Sequence, residues 1–367
     1  MKKQKLCCLC QRWASGGIES FLFNLLMELP REEIELHLVA ERLEESVFTE
    51  RLCQRGVVFH SLSGDLRRMG KNGGMFRRLL RQEKFDGVYL GLYQGLSLRY
   101  AALAKKEGVP LRIVHSHNSC LRKSLLRPGK RLLHRLGRSL YGEAATHFWA
   151  CSREAGEFLF GTRACELVAN GIDTERFRFD PLCRKALREK WGWEDAFVLG
   201  NVGRLCPQKN QMFLLEVLAR LLPLRPESRL ILVGEGEDKK KLENRAEALG
   251  LGDKVLFYGA SNHVEQLLSA MDVCLLPSLF EGLPIAGVEA QASGLPLLCS
   301  QRISRELKLT EAVTFLTPDV EAWAKTLSEG LPSRQERRMA AEEVRKKGFD
   351  SRQTAARLRQ VMLGEDP

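Results

Sequence analysis

No stretch of this sequence approaches the roughly 20 consecutive apolar residues of a membrane-spanning helix. The opening MKKQKLCCLC joins a basic start to an apolar run shorter than the ~7 to 15 residues of a signal peptide, and no small-residue cleavage site follows. The protein is therefore expected to stay in the cytoplasm. Cysteine is present, with 11 residues, but the count is odd and the thiols are scattered over apolar segments, which suits a reducing compartment and argues against a disulfide framework. The CxxC of Cys7 to Cys10 lacks a second pair at metal-ligand spacing, so buried thiols on a strand are expected there rather than a metal site. Aromatic residues make up only 7%, and no nucleic-acid module is recognisable, so a nucleic-acid partner is not expected. The pair Gly234-Glu235-Gly236 lacks the third glycine of a dinucleotide fingerprint, which leaves a hydride-transfer cofactor without support. Internal repeats and low-complexity tracts are missing too.

What is present is a chain of 367 residues, 44% hydrophobic and 28% charged, long enough for two globular domains. Short apolar runs alternate with helical patterns, the mark of βα units around a parallel sheet. Strands are predicted at 5–10, 34–40, 57–62, 87–90, 112–115, 147–151 and 165–169, with helices at 18–29 and 96–107. The pattern restarts after the turn-rich Asn170-Gly171-Ile172-Asp173 and Asp180-Pro181, with strands at 197–202, 229–233, 255–258, 273–276 and 296–299. Helices are expected between them at 210–222, 238–249, 264–270 and 285–292, and past Thr317 the sequence reads as helical to its end. Two doubly wound domains at 1–172 and 173–345 follow, with 346–367 as a terminal helix returning to the first.

Charge is uneven. Residues 1–172 hold 28 Lys and Arg against 17 Asp and Glu, whereas the remainder hold 29 of each, so the whole net charge of +11 belongs to the first half. Within it, 67–138 carry 18 basic and 3 acidic residues. This stretch is either a solvated face or a surface for something anionic, such as a membrane leaflet or a phosphate-bearing acceptor.

Open α/β sheets bind ligands beyond the carboxyl ends of their strands, and four segments fall there. Glu281-Gly282-Leu283-Pro284 to Glu289 reads as a loop turning into a helix, with two carboxylates eight positions apart. Glu289 suits a pair of ribose hydroxyls, and the N–H groups near Leu283 suit a phosphate. Gly203-Arg204 with Lys209 places two cations at the start of the next helix, a diphosphate pattern that a solvated loop would also give. Gly16-Gly17 opens the first helix, where missing side chains let a phosphate or sugar approach. His115-Ser116-His117-Asn118 ends a strand, and histidines at that position are as often packed as functional.

Taken together with Asn170 to Asp173 and Gly234-Glu235-Gly236, these residues resemble the retaining family 4 glycosyltransferases of the GT-B fold, and the Glu281 and Glu289 spacing matches that family's E-x7-E element. The likeness covers nearly the whole chain, and the basic first half is similar to bacterial capsular and exopolysaccharide enzymes. It implies two Rossmann-like domains facing across a cleft, and it assigns catalysis to His117, Glu281, Arg204 and Lys209. Arg204 and Lys209 would hold the donor diphosphate, Glu289 the ribose, Glu281 the transferred sugar, Gly16 and Gly17 the distal phosphate, and His117 the sugar near its reacting carbon. Asn118, Asn170, Gly203, Glu235, Gly282, Leu283 and Pro284 would complete substrate binding. No metal or other cofactor is implied. The expected partners are a nucleotide sugar such as a UDP-hexose or UDP-N-acetylhexosamine, a glycan or polyprenyl-diphosphate-linked acceptor, and an anionic membrane surface holding the enzyme peripherally. An epimerase of the same fold and a non-catalytic sugar-nucleotide binder are the alternatives.

Overall fold

The computed structural model describes residues 3–14, 16–44, 46–62, 69–92, 94–117, 128–281, 283–332 and 337–365. It divides into two compact units, the first formed by Met1–Gly171 with Ser351–Pro367 and the second by Ile172–Asp350.

The first unit is built on seven parallel strands: β1 Gln4–Trp13, β2 Ile34–Leu43, β3 Val58–Ser61, β4 Gly87–Leu92, β5 Leu111–Ser116, β6 His147–Ala150 and β7 Glu166–Leu167. Their order in the sheet is β3-β2-β1-β4-β5-β6-β7. Central strands of such a sheet are covered on both faces, so their sequences run apolar without alternation. Leu6 to Cys10 and Val88 to Leu90 fit, all fully buried, and burial pushes the Cys7, Cys8 and Cys10 thiols far above their usual range. These are inert core thiols, as the strand reading predicts.

The second unit holds six parallel strands: β8 Phe197–Val202, β9 Ser228–Val233, β10 Val255–Gly259, β11 Val273–Leu276, β12 Leu297–Ser300 and β13 Val313–Leu316. They lie in the order β10-β9-β8-β11-β12-β13. In each sheet the order reverses beside the first strand, between β1 and β4 and between β8 and β11, the place at which open α/β sheets bind their ligands.

Four features depart from the sequence expectation. Strand β13 is additional; it is a four-residue edge strand whose side chains are mostly half-buried. The linker-like Asp180-Pro181 begins a helix instead, Pro181–Trp191, because the Asp180 carboxylate accepts from the Leu182 and Cys183 N–H groups at 2.8 and 3.1 Å and proline suits the first turn. The helix Ala340–Lys346 stays with the second unit, and the chain crosses to the first at Ser351. From there the terminal helix Ser351–Leu363 packs on the helix Gly17–Glu28, pinned by Arg357 on Glu166 and Arg359 on Glu33, each at 2.6 Å. The helix expected over 96–107 is a 3-10 turn, Gly95–Leu98, followed by Arg99–Lys106.

The second unit is clamped at the amino end of β11 by Asp272. Its carboxylate takes Arg184 and Arg188, each at 2.5 Å, and the Val198 N–H at 2.8 Å. Burial alone would raise this carboxyl, but the Val198 amide and the two guanidiniums outweigh it and hold the group below its usual 3.8. Removing one partner from a buried pair leaves charge uncompensated, so Asp272→Asn is expected to cost roughly 3 kcal/mol in a urea titration. Because the native carboxyl lies below its unfolded value, that stabilisation is in place above about pH 4 and drains away as the pH falls through the native value. The gap between variant and parent therefore narrows as the pH falls below about 4, and a gap that widened on acidification would contradict this account.

Candidate functional site

At the β8/β11 reversal two loops run side by side. The first, Gly203 to Asn210, leaves β8 and ends in a turn in which the Lys209 and Asn210 N–H groups both donate to the Cys206 carbonyl, at 3.0 and 3.3 Å. Asn210 takes a left-handed conformation (φ 58°), which asparagine tolerates, and the helix Gln211–Leu221 starts there with no side chain capping its N–H groups. The second loop, Pro277 to Pro284, leaves β11 and opens the helix Ile285–Ala292, also uncapped by any side chain. Some helices elsewhere in the chain are capped by Ser152, Asp180 and Asp319, and others, among them Lys239–Ala248 and Val264–Ala270, also start without a side-chain cap.

The two loops are stitched together. Leu279 N–H donates to the Gln208 carbonyl at 2.9 Å, the Gln208 amide to the Phe280 carbonyl at 3.1 Å, and the Asn210 amide to the Pro277 carbonyl at 3.3 Å. Beneath them the buried Asn201 donates to the Leu275 carbonyl at 2.7 Å, and Gln211 donates to Asn201 and to the Arg204 carbonyl at 3.2 and 3.0 Å. Across the seam Lys209 Nζ lies 2.8 Å from Glu281 Oε2, with side chains only 17% and 10% exposed, and the Ser278 hydroxyl donates to the other carboxylate oxygen. An ammonium has three donors and this pair uses one, so Lys209 keeps capacity for a further anion.

Glu289 sits on the helix Ile285–Ala292, 6% exposed. Burial pushes the Cys274 thiol up to about 12, the Glu289 charge adds to the shift, and Lys209 opposes it, so Lys209 and Glu289 act on one shared locality. A third loop presses on the first from β9. A side chain at Gly234 would place its Cβ 2.2 Å from the Gly203 carbonyl oxygen, and one at Gly236 would lie 2.1 Å from that of Leu205. The glycine pair is thus spent on backbone packing, consistent with the missing fingerprint. Glu235 lends its carbonyl to the Leu205 N–H at 3.0 Å, while its carboxylate pairs outward with Lys239.

In the first unit, Gly16 precedes the helix Gly17–Glu28, again without a side-chain cap. A Cβ at Gly17 would meet nothing within 4 Å, whereas one at Gly16 would strike the Glu19 carboxylate at 2.5 Å. The two histidines at the end of β5 differ. His115 has both ring nitrogens engaged, by the Tyr89 hydroxyl and by the Val168 carbonyl at 3.0 Å, so it is a structural residue. His117 meets the buried Asn170 Oδ1 at 2.9 Å through Nδ1, and its Nε2 is buried with no partner among the described residues. An amide oxygen only accepts, so the proton sits on Nδ1 and Nε2 presents a lone pair.

Comparison with known proteins fits this arrangement. The family described as Glycosyl transferases group 1 matches residues 184–347, and Glycosyltransferase Family 4 matches 15–176. EpsF of Bacillus subtilis (strain 168), named as a glycosyltransferase, is 30% identical over 365 residues, covering 94% of this chain and 93% of that protein. The chain belongs to the family 4 glycosyltransferases. The Escherichia coli UDP-Gal:alpha-D-GlcNAc-diphosphoundecaprenol alpha-1,3-galactosyltransferase is 30% identical over 307 residues, 78% of this chain and 76% of its own length. In fold, the glycosyltransferase resembles the crystal structure of Anabaena Alr3699/HepE in complex with UDP and glucose, with a TM-score of 0.79 at 21% identity over 98% of this chain and 99% of that one. Both units share the GT-B architecture of such neighbours.

Of the residues singled out in its sequence, the glycosyltransferase brings Lys209 and Glu281 into contact and sets Glu289 nearby. Arg204 pairs its guanidinium with Glu237 at 2.9 Å, a residue carried by the loop that is pressed against Gly203. Pro284 caps the helix rather than entering its first turn, and Leu283 is buried. At Gly287 the helix packs closely, since a Cβ there would lie 2.9 to 3.0 Å from Leu307 and Leu276. Asn118 and Gly282 fall outside the described residues. Sequence reasoning passed over Ser278, Asn201, Gln208 and Gln211; Ser278 alone carried a signal, three positions before Glu281 in the same loop.

Burial lowers the His117 ring to about 4, and the Asn170 bond only partly offsets it. Imidazole NMR should show one histidine resonance, lost in His117→Gln, that stays neutral through pH 5. Titration near 6.5 would mean that the ring is not buried in the working protein.

Proposed function

We propose that this glycosyltransferase moves a hexose or N-acetylhexosamine from a UDP-sugar to a glycan or polyprenyl-diphosphate-linked acceptor in exopolysaccharide or capsule assembly, with retention of anomeric configuration. The observation that carries the reading is the Lys209–Glu281 pair set between two uncapped helix N-termini at the β8/β11 reversal. Helix N-termini and a half-buried ammonium favour an anion, and a diphosphate is the leaving group of a nucleotide sugar. The galactosyltransferase relative, whose name couples UDP-Gal with a diphosphoundecaprenol acceptor, and the UDP complexes of HepE support the choice of donor and acceptor class.

On this reading Lys209 neutralises the departing diphosphate, with Arg204 joining once it leaves Glu237. Glu289 accepts from the ribose hydroxyls and Glu281 from those of the sugar, while backbone groups at Gly203, Glu235, Leu283 and Pro284 line the donor site. In the first unit Gly17 leaves its helix N-terminus open, and Gly16 precedes it. There too the His117 Nε2 lone pair suits a sugar hydroxyl, and Asn170 fixes its tautomer. The glycosidic C–O bond to phosphate breaks, the acceptor oxygen bonds to the same face of the anomeric carbon, and the acceptor proton passes to a phosphate oxygen. Preorganised donors aimed at developing charge typically contribute about 10²- to 10³-fold each in rate. No metal is required on this scheme, because the cations and helix termini carry the charge.

An α-configured UDP-sugar should give an α-linked product by NMR, and an inverted product would reject the mechanism. Lys209→Ala should lower kcat/KM by about 100-fold, and turnover should survive a chelator. If the enzyme converted donor alone into an altered nucleotide sugar, the epimerase alternative would replace this one. A preference for GDP-sugars in a donor panel would overturn the choice of base.

A further inference from the structure

The 14-residue helix Pro128–Tyr141, PGKRLLHRLGRSLY, has no acidic residue and presents an unusual outer surface. Leu132, Leu133, Leu136 and Leu140 are 57%, 47%, 44% and 68% exposed. Residues 132, 136 and 140 recur every four positions, so they form one stripe along the helix, with Leu133 on its shoulder. Arg131 and Arg135, a turn apart, run beside the stripe, and Lys130 sits at the helix start; all three are exposed, with no acidic partner among the described residues. Some of the remaining charge of 67–138 is spent internally: Arg77 and Arg81 pair with Glu107, and Arg112 donates to the carbonyls of Ala144, Val109 and Pro110.

The opposite face is mounted firmly. A Cβ at Gly137 would lie 2.3 Å from the backbone of Gly95, so two glycines let helix and turn touch directly. His134 reaches across the same seam, accepting the Gly95 N–H at 2.9 Å on Nδ1 and donating from Nε2 to the Phe158 carbonyl at 3.0 Å. A helix fastened this closely cannot roll to hide its leucines.

We infer that this leucine stripe, flanked by Arg131 and Arg135, docks the first unit on an anionic lipid bilayer, the leucines entering the headgroup–acyl boundary and the cations meeting lipid phosphates. An unpaired cationic flank beside an exposed apolar stripe is complementary to a surface that is anionic outside and apolar just beneath. The inference rests on the proposed lipid-linked acceptor only for its purpose, since no residue of this helix is among those assigned to the donor. No described helix is long and apolar enough to cross a membrane, so attachment by this face would be peripheral.

The test is sedimentation of the full chain with vesicles of pure phosphatidylcholine and of phosphatidylcholine with phosphatidylglycerol at 7:3. The parent should bind the mixed vesicles preferentially. Combining Leu132→Ser, Leu136→Ser and Leu140→Ser should lower partitioning at least tenfold, and Arg131→Ser with Arg135→Ser should abolish the preference for phosphatidylglycerol. In the single variant Leu136→Trp, fluorescence should shift to the blue on adding mixed vesicles. Failure of the parent to bind either vesicle, parent-like binding by the triple variant, or an unshifted tryptophan would each overturn the inference. So would a parent that is dimeric by light scattering and becomes monomeric in the triple variant, which would assign the stripe to a second copy. Thermal shift with UDP on the same samples controls for folding and reads the donor proposal separately, since loss of UDP binding by the parent would sink that proposal and leave the vesicle result interpretable.

Discussion

The reversal of strand order between β8 and β11 is the constraint on which the second unit's chemistry depends. Because β9 lies on one side of β8 and β11 on the other, the loops leaving β8 and β11 are neighbours at their bases. Each then opens a helix, so two sets of unsatisfied N–H groups arise at the reversal. The amide seam through Asn201, Gln208, Asn210 and Gln211 fixes the loops against one another, and the Lys209–Glu281 pair closes it. Opposite charges so little exposed must be held in good geometry to offset their desolvation, and the Ser278 hydroxyl and the surrounding backbone supply that geometry. The same arrangement holds an ammonium with spare donors at a place suited to an anion.

The first unit meets a parallel demand differently. At its own reversal it offers the uncapped start of the helix Gly17–Glu28, and at the end of β5 it buries two histidines whose surroundings divide their roles. His115 is consumed by Tyr89 and Val168, whereas His117, oriented by Asn170, retains an unsatisfied nitrogen. A buried polar atom without a partner is costly, and among the described residues the His117 nitrogen shares that state with side-chain atoms such as those of Trp149 and Ser228.

Much of this was legible in the sequence because parallel central strands are continuous apolar runs and cannot be hidden: β1, β4, β8, β11 and β12 were each placed within a few residues. Edge strand β13 was not, because Val313 to Leu316 is short and half-buried, so its run carries no marked pattern. The helix after Asp180 was missed because Asp-Pro reads equally as a turn and as an N-cap with proline following it. In the site, the type and spacing of Lys209, Glu281 and Glu289 were readable, since charged residues in a strand-to-helix loop have few packing uses. That Arg204 would pair with Glu237, and that Gly234 and Gly236 serve loop packing, depends on how three loops meet in space. The leucines of Pro128–Tyr141 were overlooked for a related reason: apolar residues at helical spacing read as core, and only the structure shows that His134 and Gly137 take the inward face.

The most direct measurement of the central claim is hydrogen exchange with and without UDP. If the diphosphate is gripped at the β8/β11 reversal, amides of 203–211 and 279–287 gain protection together on adding nucleotide, while those around Gly95 and the outer helix Pro128–Tyr141 do not change. Protection confined to the first unit, or none at saturating UDP, would contradict the account.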